Sequence, residues 1–282
     1  MHHPPSRNDA QIAQWNGAAG HAWRDEHALL DRMFKPFEDL IAATPGVGPG
    51  SVVLDVGCGT GATVMALARR VGQAGRVLGI DVSAPMLDVA RARAQPGDGQ
   101  VHFVQADAQT YPFAPAGFDA VVSRFGVMFF SDPVRAFTNL RYAVRPAGAL
   151  RCLAWRSAGD NPFMVEAERA AAHLLAGLAQ ARPDGPGQFA FAERRHVEDL
   201  LAASGWTRVA VQPVDAVCAF PETALPRYLT RLGPVGRLLA DKDEAARQQI
   251  VAALRPAFDR YLHDGEVRFS AACWLIEARA PG

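Results

Sequence analysis

Residues 52–61, Val-Val-Leu-Asp-Val-Gly-Cys-Gly-Thr-Gly, constrain this 282-residue chain more than any other stretch. Val52 to Val56 are mostly β-branched and apolar, and turn residues come after them, which is the pattern of a short buried strand. Gly57, Gly59 and Gly61 then make a G-x-G-x-G loop. From Thr60 to Val71, the residues Val64, Leu67, Ala68 and Val71 recur at i, i+3, i+4 and i+7, a helix with one buried face. Strand, glycine loop and helix form the first half of a nucleotide-binding βαβ unit. With no Cβ in the way, the loop lets backbone N–H groups close on a ligand.

The spacing narrows the choice. A dinucleotide fingerprint reads G-x-G-x-x-G, and the loop here is one residue shorter. Asp55 sits inside the strand, two residues before Gly57. A buried acid needs hydrogen-bond donors, and the N–H groups of the loop are the nearest ones. The strand, Asp55 and the loop with Cys58 between its glycines resemble motif I of the class I S-adenosylmethionine (SAM)-dependent methyltransferases, D-x-G-C/T-G-x-G. A generic Rossmann-type turn also fits the loop alone, so the case rests on the residues found at fixed distances beyond it.

Arg76 to Ile80 read as the second strand, ending at Asp81. Ser83 and Pro85 supply a helix cap and a first-turn proline, which leaves Asp81 free to accept from ribose hydroxyls rather than to cap. Gly79 to Leu87 match the G-x-D-x-S-x-x-M-L pattern of the ubiquinone/menaquinone-type C-methyltransferases. That resemblance places Met86 beside the adenine and counts Val82 among the cofactor-binding residues; a core methionine is the alternative. Val101 to Gln105 read as the third strand. By the same resemblance Asp107 accepts from the adenine amino group and the Ala108 N–H meets a ring nitrogen, although Asp107 also suits a plain turn. These sites fall at the carboxyl ends of three successive strands, where ligands bind in open α/β sheets.

Phe118 to Val122 read as the fourth strand, and Ser123 and Arg124 after it suit the methionine portion of the cofactor, since a guanidinium pairs well with a carboxylate. Arg124 equally suits an acidic acceptor or a structural ion pair. The N/D-P-P-Y/F motif is missing here, which argues against amino methylation of DNA or protein glutamine, and nothing at this strand end implies a metal. Asp132-Pro133 opens a helix with Phe137, Leu140 and Val144 on its buried stripe. Arg145-Pro146-Ala147-Gly148 ends it where relatives carry K/R-P-G-G. Strands are expected at 149–156 and 206–217, and a last, antiparallel one at 267–279.

The resemblance implies an α/β fold: a Rossmann-like, seven-stranded, mostly parallel sheet with helices on both faces and helical lid insertions. The divisions expected are an arm or lid at 1–50 with a disordered start at 1–9, a SAM-binding core at 51–156, a helical insertion at 157–192, a core helix and strand at 193–217, a second helical insertion at 218–265 and a final strand at 266–282. Within the first insertion a helix is expected from Met164 to Ala179, then a Pro/Gly loop from Arg182 to Gly187. In the arm a bend is expected near Gly17–Gly20. Trp15 and Trp23 either pack the arm on the core or line the cofactor site, and the two roles are compatible.

The totals exclude other classes. Hydrophobic content of 49% and charged content of 21% are those of a globular protein. Basic and acidic residues balance at 29 each, so there is no surplus to neutralise a phosphate backbone. Cys58, Cys152, Cys218 and Cys273 lie far apart, with neither zinc-ligand spacing nor a disulfide framework. No segment reaches 18 apolar residues. A cytoplasmic protein is expected, acting on a small molecule without nucleic-acid or membrane partner, as monomer or homodimer.

The reaction implied is displacement of the SAM sulfonium methyl by a nucleophile on a small apolar or aromatic metabolite, leaving S-adenosylhomocysteine. If a general base is needed, His21, His27, His173 and His263 are the candidates, with Arg124 the other polar group at the strand ends. A SAM-binding protein that transfers no methyl keeps the same motifs. An NAD-dependent oxidoreductase fits less well, for want of the longer glycine spacing and because of Asp107.

Overall fold

The structure is a computed structural model that describes residues 7–95, 100–175, 185–240 and 242–282. Four short helices open the chain: α1 (Arg7–Asn16), α2 (Ala18–Asp25), α3 (His27–Met33) and α4 (Lys35–Ala42). The core continues as β1 (Val52–Val56), α5 (Ala62–Val71), β2 (Arg76–Asp81), α6 (Ala84–Arg93), β3 (Gln100–Gln105), β4 (Phe118–Arg124), α7 (Pro133–Ala143) and β5 (Val144–Trp155). Then come α8 (Pro162–Ala171), α9 (Arg194–Ala203) and β6 (Thr207–Pro221), the helices α10 (Leu225–Arg231), α11 (Gly233–Leu239) and α12 (Glu244–Leu254), and the strands β7 (Leu262–His263) and β8 (Glu266–Arg279).

The sheet runs in the order β3-β2-β1-β4-β5-β8-β6, with the two-residue β7 paired to β8. β1 to β5 are parallel, and β8 is antiparallel to both of its neighbours β5 and β6. The expected mostly parallel Rossmann-like sheet is thus present, closed by an antiparallel strand inserted before the edge. The strand order reverses between β1 and β4, and that reversal opens the crevice at their carboxyl ends.

Local chemistry sets the helix starts. The Ser83 hydroxyl accepts from Met86 N and the Asp132 carboxylate from Arg135 N, each with a proline in the first turn. Gly61, at φ +84°, turns the chain into α5, where its missing Cβ lets Ala90 of α6 pack close. Core faces are apolar as expected: Val53, Leu54, Val64, Leu67, Val77, Ile80 and Val121 are fully buried.

Several boundaries differ from the sequence expectation. Residues 7–9 belong to α1, while 1–6 lie outside the described residues. The arm breaks three times instead of once: at Gly17 as expected, and again at Glu26 and Phe34, whose backbones leave the helical range. Val144 starts β5 and is not on the stripe of α7. α8 stops at Ala171, the remainder of the helix expected on to Ala179 runs into residues outside those described, and so does the first half of the Pro/Gly loop at 182–187. β6 runs on to Pro221, because β8 offers it a pairing partner throughout. Ala147 stands at φ +60°, a backbone conformation that favours glycine.

The arm is an integral part of the fold. Met33, Phe34, Phe37 and Ile41 are buried against the sheet end. Glu26 is buried and pairs with Arg227 of α10 at 2.8 Å, and Arg32 pairs with Glu266 of β8 at 2.8 Å. The arm therefore bridges the core and the second insertion.

Candidate active site

Gly57 and Gly59 adopt φ +69° and +53°, which only glycine takes without strain. At Gly57 a Cβ would come within 2.6 Å of the Gly126 Cα, so the loops after β1 and β4 touch there. At Gly59 a Cβ would meet only the Met86 sulfur, at 3.7 Å. The open side of the loop is thus at Gly59, facing the crevice.

The loop N–H groups are spent on neighbouring backbone and on one acid. Gly57 N and Cys58 N donate to Ile80 O at 2.9 and 3.2 Å, and Gly61 N to Cys58 O at 2.9 Å. Gly59 N donates to Asp81 Oδ2 and Ser83 N to Asp81 Oδ1, both at 2.8 Å. Asp81 is buried, and burial raises its pKa against the opposing pull of these N–H groups.

Asp55 overturns the expectation made for it. Both of its carboxylate oxygens are buried without a hydrogen-bond partner, because the carbonyl of Ile80 on β2 takes the loop N–H groups instead. Burial pushes its pKa up to about 8, with Arg124 pulling it down and Asp81 pushing it further up. Arg124, at the end of β4, is the matching cation. Its Nη1 is buried and also unpartnered. Burial lowers its pKa, while Asp31, Glu38 and Asp55 oppose that shift.

Between the loop and the arm lies a pocket lined by Trp23, Leu30, Asp31 and Phe34 from the arm, by Gly57 to Thr60 and Thr63, and by Arg124 and Phe125. It gathers the sequence candidates Trp23, Gly57, Cys58, Gly59 and Arg124. Phe125 stands at φ +66°, an outlier for a bulky side chain. Its ring stacks on Trp155 at 4.5 Å and meets the edges of Phe34 and Phe37 at 5.5 and 5.3 Å. This aromatic wall closes one side.

The other candidates lie around the pocket without lining it. Ser123 is fully buried; its hydroxyl donates to Val56 O at 2.8 Å and accepts from Gly126 N at 3.1 Å, strapping β1 to β4. Asp107 accepts from Gln109 N at 3.0 Å, the turn arrangement, and Ala108 is buried beside it. Met86 is buried under Gly59. Trp15 sits edge-on to Trp23 at 5.7 Å and to Phe129 at 5.1 Å.

The backbone beyond Asp81 is gripped by the arm. The Ser83 hydroxyl donates to Trp15 O at 2.6 Å. Asn16 Nδ2 donates to Val82 O and Asn16 Oδ1 accepts from Ala84 N, both at 2.9 Å. Gly20 is the tight point: a Cβ there would fall 1.8 Å from Trp15 O and 2.9 Å from Ser83 Oγ. In the sequence Asn16 and Gly20 stand out only as breaks in the helical pattern, and an Asn-Gly step at a helix break was the available signal.

Residues 53–148 match the family described as methyltransferase domain. Similar proteins include the 2-phytyl-1,4-naphtoquinone methyltransferase of Trichormus variabilis, 35% identical over 120 residues, 42% of this chain and 52% of that one. The demethylmenaquinone methyltransferase of Lysinibacillus sphaericus is 37% identical over 107 residues, 38% and 45% of the two chains. The chain spans about half the length of these relatives. Among solved structures, a phosphoethanolamine N-methyltransferase 2 of Haemonchus contortus, in complex with phosphomonomethylethanolamine and S-adenosylhomocysteine, superposes with a TM-score of 0.57 at 19% identity. It covers 99% of this chain and 61% of that one, and at that identity it speaks for the fold.

The class I methyltransferase fold implies SAM, and the residues of this domain fit it. A glycine loop open at Gly59 suits close approach of a ligand. A buried carboxylate at the end of β2 has lone pairs left for hydroxyl donors. A guanidinium whose Nη1 is buried without a partner suits an α-carboxylate. The four candidate histidines are elsewhere. His21 and His27 place Nδ1 at 2.9 and 2.8 Å from the carbonyls of Gly17 and Arg24 in the arm, and His173 and His263 are exposed. None of them lines the pocket. Asp31 and Thr63, which no motif marks, do.

Proposed function

We propose that this chain transfers the methyl group of SAM to a small apolar or aromatic metabolite at carbon, oxygen or nitrogen. The single observation that carries this reading is the pocket itself: an open glycine loop, an unpartnered guanidinium and an aromatic wall on one crevice at the reversal of strand order. In this reading the Gly57–Gly61 loop and Asp81 hold the nucleoside, with Asp81 accepting from the ribose hydroxyls. Arg124 holds the α-carboxylate, and Met86, Asp107 and Ala108 flank the adenine. When bound, SAM supplies an activated sulfonium methyl, so the protein's task is to position and to exclude water. Trp23, Leu30, Phe34 and Phe125, the last backed by Trp155, supply an apolar chamber that suits a flat acceptor. The quinone-methylating relatives favour an aromatic ring carbon or oxygen as the methylated atom.

The chain is proposed to act on a free small molecule, as monomer or homodimer, in the cytoplasm. No helix among the described residues is long and apolar enough to cross a membrane. Calorimetric titration with S-adenosylhomocysteine, with NAD as control, tests the cofactor. Incubation with SAM and a panel of phenols and reduced quinones, read as S-adenosylhomocysteine formed, tests the transfer. Binding with no product from any acceptor would favour a SAM-binding protein without transfer, and NAD binding alone would overturn the reading.

A further inference from the structure

Among the described residues, two charged side chains face the pocket, one of each sign. Arg124 comes from the sheet and its Nη1 is buried without a partner. Asp31 comes from α3 in the arm. They sense each other: among the charges that act on Arg124, Asp31 is the strongest that favours its protonated form. The remaining walls are glycine, threonine, cysteine and apolar side chains. The end of an amino acid carries a carboxylate and an ammonium on the same carbon, and a site for it needs one cation and one anion close together. This pocket provides that pair, with the anion on the arm and the cation on the core.

Asp31 is not idle without a ligand. Its Oδ2 lies 2.7 Å from Nη2 of Arg93 on α6. Nη1 of the same arginine donates to Thr60 O, in the glycine loop, at 3.0 Å. Arg93 thus ties the arm carboxylate to the rim of the loop, and both partners are partly open to solvent. A carboxylate offers about four acceptor positions, so Asp31 can hold an ammonium while Arg93 stays in place.

We propose that Asp31 recognises the α-ammonium of the cofactor's amino-acid end, opposite Arg124. The inference rests on the cofactor reading above and deepens it: the arm is a part of the binding site that reads the amino acid, while the core reads the nucleoside. A nucleoside thioether without the amino acid engages the core and leaves the arm unrewarded.

The test compares S-adenosylhomocysteine with 5′-methylthioadenosine, which lacks the amino-acid end, by calorimetry on the full chain. Asp31→Asn is expected to weaken S-adenosylhomocysteine about tenfold, the loss of a charge-assisted hydrogen bond, and to leave 5′-methylthioadenosine within about twofold. Asp31→Glu should recover part of the loss. Arg93→Ala serves as the control for a merely structural tie. If Arg93→Ala and Asp31→Asn weaken both ligands alike, Asp31 only anchors the arm and the inference falls. It falls also if Asp31→Asn leaves both affinities unchanged, as a carboxylate serving the acceptor would. Melting curves identify a variant that has lost its fold, in which case Asp31→Glu carries the comparison of the two ligands. Should the wild type bind neither ligand, the cofactor reading fails first and takes the inference with it.

Discussion

The ends of β1 and β2 lie side by side in the sheet, and each carries a buried aspartate. Asp81 on β2 receives two backbone hydrogen bonds, from Gly59 and Ser83. Asp55 on β1, three residues before Cys58, receives none. The difference comes from register. Val56 pairs with Ile80 across the two strands, so the Ile80 carbonyl sits under the loop and captures the N–H groups of Gly57 and Cys58. The same residue type at the same kind of strand end is a satisfied acceptor in one place and an unsatisfied, largely protonated acid in the other. A satisfied acid is prepared for neutral hydroxyl donors. An unsatisfied one beside Arg124 is prepared to gain charge only when a cation or a rearranged guanidinium reaches it.

The largest expected effect separates the two acids by pH. The folded-state pKa of Asp55 is about 8, well above its unfolded value, so the native state holds a proton that the unfolded chain gives up. Its contribution to stability is therefore fully present below about pH 4 and is lost as pH rises to about 8, at up to about 1.4 kcal/mol per unit. Chemical denaturation from pH 5 to 8 should show wild type losing stability relative to Asp55→Asn. Parallel curves would mean that Asp55 finds donors in solution and that the contrast with Asp81 is false.

Asp81→Ala should weaken S-adenosylhomocysteine by about 1–3 kcal/mol, through lost hydroxyl contacts and a loosened Gly59 N–H. Unchanged affinity in a folded variant would remove Asp81 from the site. Asn16→Ala comes next. It deletes the bonds to Val82 and Ala84 that hold the arm on the Asp81 side, at about 1–2 kcal/mol of stability. Because the clamp lies on β2 and not β1, the pH slope assigned to Asp55 should survive in this variant, and its disappearance would show that the two strand ends are coupled. Smallest is Ala147→Gly, remote from both acids. Relief of the φ +60° backbone should raise stability by about 0.5–1 kcal/mol, visible as a higher Tm, with affinity and pH slope untouched.

Much of the cofactor half was legible because its signals are local. Glycines in a loop, Ser83 and Pro85 before α6, and Asp132 and Pro133 before α7 act within one turn of where they stand. In the arm the break at Gly17 was legible from its glycines, but the arm's part in the pocket was not. Trp23 reached the pocket and Trp15 did not, although both lie in one stretch. The chemistry of a histidine says nothing of its direction: the imidazole of His21 turns back to the Gly17 carbonyl ahead of α2, and that of His27 to the Arg24 carbonyl of the preceding helix.

By itself, the sequence determined the strand–loop–helix unit, the helix caps and the positions where acids end strands. These depend on contacts between residues a few places apart, where propensity and periodicity act. The tertiary structure alone decided which donors each acid would meet, that Asp31 and Arg93 would pair beside the glycine loop, and that Asn16 would grip the turn after β2. Those outcomes depend on strand register and on how the arm docks. There backbone groups compete for the same hydrogen bonds, and the winner is set by segments far apart in the chain.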